Sequence, residues 1–191
     1  MKTIAFIRHG MTQGNLEKRY IGRTNQPLCE KGTVQAKALF GNGMPDCSFV
    51  FASPYLRCLQ TAHILFPYRQ IKILDDLREC DFGDFEGKTA EELEQDASYA
   101  AWLNEKCVTP IPGGEGVMEF KERCCAAFEE AVQTLPDDAT AAFVIHGGTI
   151  MAILERFAQP MRQFYEYHIG NCELILCDYD DSILTIRGTA L

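Results

Sequence analysis

The chain has 191 residues, 47% apolar and 24% charged, which suits one globular domain with a sizeable core. Its 18 basic and 27 acidic residues leave a net charge of −9, which argues against nucleic acid as the main partner. No apolar run approaches the roughly 20 residues a membrane span needs, so no membrane partner is expected.

Met1-Lys2 leads straight into a strand pattern, without the apolar stretch and small-residue cleavage site of a signal peptide; a cytoplasmic location is expected. Residues 3–7, Thr-Ile-Ala-Phe-Ile, read as a buried strand ending at Arg8-His9-Gly10. Residues 10–30 read as a long loop, and such loops in compact domains are more often functional than idle. Residues 31–40 read as a helix closed by Gly41-Asn42-Gly43. Residues 48–52 form a second strand. Ser53-Pro54 then reads as an N-cap followed by proline in the first helical position. That helix runs to about Phe66, with Leu56, Leu59, Ala62 and Phe66 as its inward stripe. Residues 71–74 make a third strand, 75–87 an acidic loop, and 89–106 one or two helices. Pro110, Pro112, Gly113 and Gly114 break the chain before a long helix over 117–135. Residues 141–145 form a buried strand ending at His146-Gly147-Gly148, and a helix follows to about Phe157. Strands over 172–177 and 183–187 close the chain. The alternation implies an α/β fold with a mostly parallel sheet covered on both faces.

Nine cysteines are scattered along the chain, none in C-x-x-C spacing and none near a histidine at zinc-finger spacing. They read mainly as small buried apolar residues. Charge is uneven. Residues 1–23 carry Lys2, Arg8, Lys18, Arg19 and Arg23 against Glu17 alone, a local attraction for a small anion. Residues 75–96 are strongly acidic.

Ligands of open parallel sheets bind beyond the carboxyl ends of the strands. Three such ends carry polar side chains: Arg8-His9, the segment from Ser53 to Arg57, and His146. Two of only four histidines occupy matched strand–His–Gly settings. His63, within a helix, and His168, in a tyrosine-rich loop, read as ordinary structural residues. Neutral imidazole accepts a phosphoryl group well when its other nitrogen is held. Arginine suits the charge that spreads over the phosphoryl oxygens, and Arg8 and Arg57 are placed for it. Asn15 can add an amide donor. An acid must also protonate the leaving oxygen. Glu79, Asp81, Asp84 and Glu86 all qualify by position.

Arg8-His9-Gly10-Met11-Thr12 resembles the R-H-G-x-T motif of the histidine phosphatase superfamily, which includes the cofactor-dependent phosphoglycerate mutases. The resemblance spans nearly the whole chain. Asn15 falls at that family's asparagine. Residues 22–28 resemble its substrate loop, with Asn25 where aspartate is usual. Residues 53–62 are similar to its S-x-x-x-R-x-x-Q-T-A stretch. Residues 77–87 resemble L-x-E-x-x-F-G-x-x-E-G, Pro112-Gly113-Gly114-Glu115 its P-G-G-E, and His146-Gly147-Gly148 its second histidine motif.

The resemblance implies a three-layer α/β/α fold around a mostly parallel mixed sheet of about six strands. It implies one domain over 1–191 with a small cap-like helical insertion around 84–116. His9 would be the phosphorylated nucleophile and Glu79 the acid and then base. Arg8, Arg57 and His146 would hold the phosphoryl oxygens, with Asn15, Gly22, Arg23 and Gly147 in phosphate or substrate binding. Glu86 and Glu115 would orient the site or its loops. No metal and no cofactor are implied. The E-R-x-Y-G start usual in a mutase is absent, and the chain resembles the phosphatase branch, particularly α-ribazole phosphatases and broad-specificity phosphatases. The expected partner is a small phosphorylated metabolite. Phosphoglycerate mutase-type transfer and a non-catalytic phospho-ligand binder are the alternatives. Tyr20, Arg23 and Trp102 are candidate substrate contacts, and exposed strand edges leave a homodimer open.

Overall fold

The computed structural model describes residues 1–190 except 43, 106 and 108. The first apolar run forms β1 (Lys2–Arg8). A single helical turn follows, α1 (Gln13–Leu16), closed by a capping box between Thr12 and Asn15. Then come α2 (Glu30–Gly41), β2 (Phe49–Ala52), α3 (Leu56–Leu65) and β3 (Ile71–Ile73). Among its described residues, the segment 84–116 contains one α-helix, α4 (Ala97–Asn104), started by the Asp96 carboxylate on the Ser98 and Tyr99 amides. The chain continues through α5 (Val117–Gln133), β4 (Thr140–Ile145), α6 (Gly147–Phe157), β5 (Ala158–Gln159), β6 (Leu174–Asp180) and β7 (Ile183–Ala190). Short 3-10 turns lie at Asp75–Leu77, Gly83–Phe85 and Phe164–Tyr167.

The sheet has seven strands in the order β3-β2-β4-β1-β6-β7-β5. The β3-β2-β4-β1 half is parallel throughout, β6 is antiparallel to both neighbours, and β5 is parallel to β7. The seventh strand is the two-residue β5, too short and too close behind α6 to show a period.

Both faces of β1 are buried, which is why its sequence is continuously apolar rather than alternating. Ile4 and Phe6 point to one side, where Phe128 of α5 and Ile150, Ile153 and Phe157 of α6 cover them. Ala5 and Ile7 point to the other, against Ala36 and Leu39 of α2 and Ala62 and Leu65 of α3. A third cluster, with Phe85, Leu93, Tyr99, Trp102, Ile111 and Phe120, lies between 80–111 and α5.

Three sequence expectations change. Ser53-Pro54 does not start α3: the N-cap is Tyr55, without a side-chain cap bond, and the Leu56 amide donates instead to Asn25 Oδ1 at 2.7 Å. A distant loop supplies the cap, which leaves Ser53 for the site. The buried face of α3 is Arg57, Cys58, Thr61, Ala62 and Leu65, whereas Leu56 is 41% exposed; the stripe is turned because Arg57 faces inward. Of the one or two helices expected over 89–106, α4 forms, and its start is delayed by turns over 90–95. The expected helix end at Gly41-Asn42-Gly43 lies partly outside the described residues.

Candidate active site

The parallel register pairs Arg8 with Ile145, so His9 and His146 follow adjacent strands at the same edge. Their ring centroids are 5.2 Å apart, with planes inclined by 67°. Ser53 leaves β2 beside them, and Glu79 follows the turn after β3. One sheet edge thus collects residues separated by more than a hundred positions in sequence.

His9 is 4% exposed. Its Nδ1 lies 2.8 Å from the Gly10 carbonyl, which can only accept, so Nδ1 carries the proton and Nε2 the lone pair. Burial first, then the charges of Arg57 and Arg8, hold its pKa well below the ordinary histidine value. His9 is therefore neutral near pH 7. Its backbone is fixed by its own N–H to the Ile145 carbonyl and by Asn171 Nδ2 donating to its carbonyl at 2.9 Å.

Arg57 is a long cationic side chain, yet only 1% exposed. Its Nε donates to His146 Nδ1 at 3.3 Å, Nη1 to the Thr24 carbonyl at 2.7 Å and Nη2 to the Gly22 carbonyl at 2.8 Å. The Tyr55 ring lies 4.7 Å from its guanidinium carbon. Because His146 Nδ1 accepts, Nε2 holds the proton and donates to Ser53 Oγ at 2.7 Å. Burial and the Arg57 charge hold His146 well below its ordinary pKa. Both ring nitrogens of His146 are thus engaged by protein groups. In this arrangement His146 links Arg57 to Ser53. Arg8 donates through Nη1 to the Ile169 carbonyl at 2.7 Å, while its buried Nε has no partner among the described residues. A buried, unpaired guanidinium N–H beside a nucleophile is suited to an anion.

Glu79 accepts from the Cys80 amide at 3.0 Å and from the Gly148 amide in the first turn of α6, also at 3.0 Å. Burial raises its pKa against the opposing pull of these bonds and of Arg57 and Arg8. The other three acids are committed elsewhere. Glu86 accepts from the Gly22 and Thr24 amides at 2.8 and 2.9 Å, Asp81 from the Gly83 amide with Arg23 3.3 Å away, and Asp84 is exposed. Glu86 therefore holds the 22–24 loop, whose carbonyls in turn hold Arg57. Arg23 is mostly exposed. Asn15 turns its Oδ1 inward, onto the Thr12 amide and Asn171. Gly147 packs against the Arg8 side chain: a Cβ there would lie 3.3 Å from Arg8 Nε.

Sequence reasoning passed over three residues. Thr61 Oγ1 accepts from the Gly10 amide at 3.0 Å and donates to the Arg57 carbonyl at 2.6 Å, tying the His9 loop to α3. Asn171 ties His9 to Asn15. Arg123 pairs with both Glu115 oxygens, at 2.6 and 2.8 Å, and donates to the carbonyls of Asp76, Arg78 and Glu79. Thr61 stands inside a recognised motif. Asn171 and Arg123 had only their residue types to mark them. Glu115 reaches Arg123 because two glycine motifs interlock: a Cβ on Gly83, at φ +48°, would meet the Pro112 carbonyl at 2.2 Å, and one on Gly114 the Asp81 carbonyl at 2.4 Å.

Comparison with known proteins fits this arrangement. Residues 4–190 match the model of the histidine phosphatase superfamily (branch 1). A protein named probable phosphoglycerate mutase GpmB from Enterobacter sp. (strain 638) is 28% identical over 188 residues, 95% of this chain and 87% of that protein. The crystal structure of the alpha-ribazole phosphatase from Shigella flexneri superposes with a TM-score of 0.83 at 25% identity, covering 97% of this chain and 94% of that one. A phosphoserine phosphatase from Entamoeba histolytica shares the fold, with a TM-score of 0.85 at 21% identity over 100% of this chain and 98% of that one.

Proposed function

The chain belongs to the histidine phosphatase superfamily, branch 1, and on that footing we propose that it hydrolyses small phosphomonoesters through a phosphohistidine formed on His9. The observation that carries this reading is the state of His9: neutral, proton on Nδ1 held by Gly10, lone pair on Nε2, with the buried Arg57 and the half-buried Arg8 around it.

In the first step Nε2 attacks phosphorus and the bond to the alcohol oxygen breaks. Arg8 and Arg57 stabilise the charge on the equatorial oxygens. Glu79, whose pKa burial raises, gives its proton to the departing oxygen. In the second step Glu79 takes a proton from water, water attacks phosphorus, and the phosphorus–nitrogen bond breaks. Inorganic phosphate leaves and His9 is neutral again. Hydrolysis is favoured over mutase-type transfer because the E-R-x-Y-G start expected of a mutase is absent.

The test is to incubate the protein with a panel of phosphomonoesters, α-ribazole phosphate among them, and to quench in base, which preserves phosphohistidine. Label on the wild type, none on His9→Ala, and release of free phosphate are expected. An unlabelled wild type, or equal label on His9→Ala, overturns the reading. Interconversion of phosphoglycerate isomers without phosphate release identifies a mutase.

A further inference from the structure

Two spaces open from Glu79. One is a cavity of about 500 Å³ bounded by Tyr20, Phe82, Trp102, Ile111, Phe164 and Tyr165 and reaching Gly148. The other is a polar groove lined by Arg23, Arg78, Asp81, Glu115 and Arg123. If Glu79 protonates the leaving oxygen, the released alcohol must occupy one of them.

The cavity is the better built of the two. Its volume suits a small-molecule body. Tyr20 and Phe82 rings lie 5.1 Å apart and Tyr20 and Trp102 6.1 Å apart, so aromatic faces and edges line one wall. The Tyr20 hydroxyl is turned away to the Tyr99 hydroxyl at 2.8 Å, leaving its ring to the space. Gly148 leaves the approach to Glu79 free of a side chain. Among the described residues, the charged groups lining the cavity are Glu79 and Glu115, both acidic. A carboxylate entering it would lose its hydration and meet like charge. The groove is acidic on balance: Arg23 is drawn to Asp81 and Arg123 to Glu115, while Asp75, Glu79 and Glu119 outnumber Arg78, the further cation among its described lining residues.

We infer that the substrate is a phosphomonoester of an uncharged, apolar, ring-bearing alcohol whose ring sits in this cavity, and that carboxylated phosphoesters such as phosphoglycerates are disfavoured. This rests on the hydrolytic reading of His9 and Glu79, and narrows its substrate class.

Four esters of primary alcohols compare leaving groups of similar reactivity: 2-naphthylmethyl phosphate, benzyl phosphate, glycerol 3-phosphate and 3-phosphoglycerate. The kcat/KM should rise from glycerol 3-phosphate to the naphthylmethyl ester by roughly 10- to 100-fold, the scale of burying one ring, with 3-phosphoglycerate the poorest. Tyr165→Ala, at a rim residue 61% exposed, should compress that ratio without unfolding the protein, and Trp102→Ala should compress it further. A binding measurement separates this inference from catalysis. Trp102 is the only tryptophan, so its fluorescence reports on the cavity. Benzylphosphonate should perturb that emission and bind about tenfold or more tighter than 2-carboxyethylphosphonate. Equal or tighter binding of the carboxylated compound, or calorimetric binding of benzylphosphonate with Trp102 silent, overturns the inference even if phospho-His9 forms. Selective benzylphosphonate binding without any His9 label overturns the hydrolytic reading and leaves the cavity's preference standing.

Discussion

The Glu79 carboxylate is held at 3.0 Å by the backbone N–H of Gly148, so the acid after β3 is anchored on the first turn of the helix after β4. The contact leaves no room for a side chain: a Cβ on Gly148 would lie 2.3 Å from Glu79 Oε1. Gly148→Ala should therefore displace the carboxylate while α6, for which alanine is the better helix former, stays intact. The expected loss is on the order of 10²-fold in kcat for alkyl phosphates and clearly less for an activated aryl phosphate, the pattern also expected of Glu79→Gln. Steady-state kinetics with both substrate types checks it, and equal losses for both remove Glu79 from the proton-transfer role.

The two histidines make stability depend on pH. Both have folded-state pKa values well below 6.5, chiefly through burial and Arg57. Below about pH 6.5 the unfolded chain binds protons at these positions and the folded chain does not, so stability falls as pH falls through that window. Each such proton contributes a slope of about 1.4 kcal/mol per pH unit. Denaturant midpoints between pH 7.5 and 5.5 should therefore decline less steeply for His9→Asn than for the wild type, by about one proton. Parallel declines would mean that His9 titrates normally in the folded protein.

Arg57 donates in three directions, and the proposed mechanism assigns its remaining N–H groups to the phosphoryl oxygens. Arg57→Lys keeps the charge and loses the planar fork, so it should lower kcat/KM by roughly 10²- to 10³-fold, in the range seen for loss of one preorganised donor. Inorganic phosphate should also raise the melting temperature of the variant less than that of the wild type. A lysine variant with wild-type kinetics would reduce Arg57 to a point charge.

The parts of the site that were legible in sequence are those fixed by local pattern. His9 and His146 each end an apolar run before glycine, and the parallel sheet then brings them side by side. Arg57 was legible as a residue, but not as an inward-facing one: a buried arginine breaks the apolar stripe that periodicity looks for in α3. Ser53 looked like a cap because Ser-Pro before an apolar run usually is one. Nothing local could reveal that Asn25, thirty-one positions from Leu56, takes that part. The choice among four acids came from family resemblance; in the structure all of Glu79, Asp81 and Glu86 accept from backbone amides, and what sets Glu79 apart is its place beside Arg8 and Arg57 and on the first turn of α6. Residues whose partners are carbonyls remote in sequence, such as Asn171 and Arg123, leave no periodic trace at all.

Arg123 carries the last prediction. It spans from Glu115 to three carbonyls of the 76–79 segment, at 2.7 to 3.1 Å, and so sets the backbone from which Glu79 projects. Its side chain and that of Glu115 are 19% and 18% exposed, so the pair is only weakly screened. Arg123→Met should strand those carbonyls and the Glu115 carboxylate, destabilising the fold by about 1–3 kcal/mol and lowering kcat more than KM changes. Glu115→Gln should cost less, since glutamine can still accept one hydrogen bond. Because the two side chains act as one unit, the double variant should lose less than the two single losses together. Chemical denaturation of the four proteins measures the coupling. Simple additivity would show that Arg123 holds the 76–79 segment without help from Glu115.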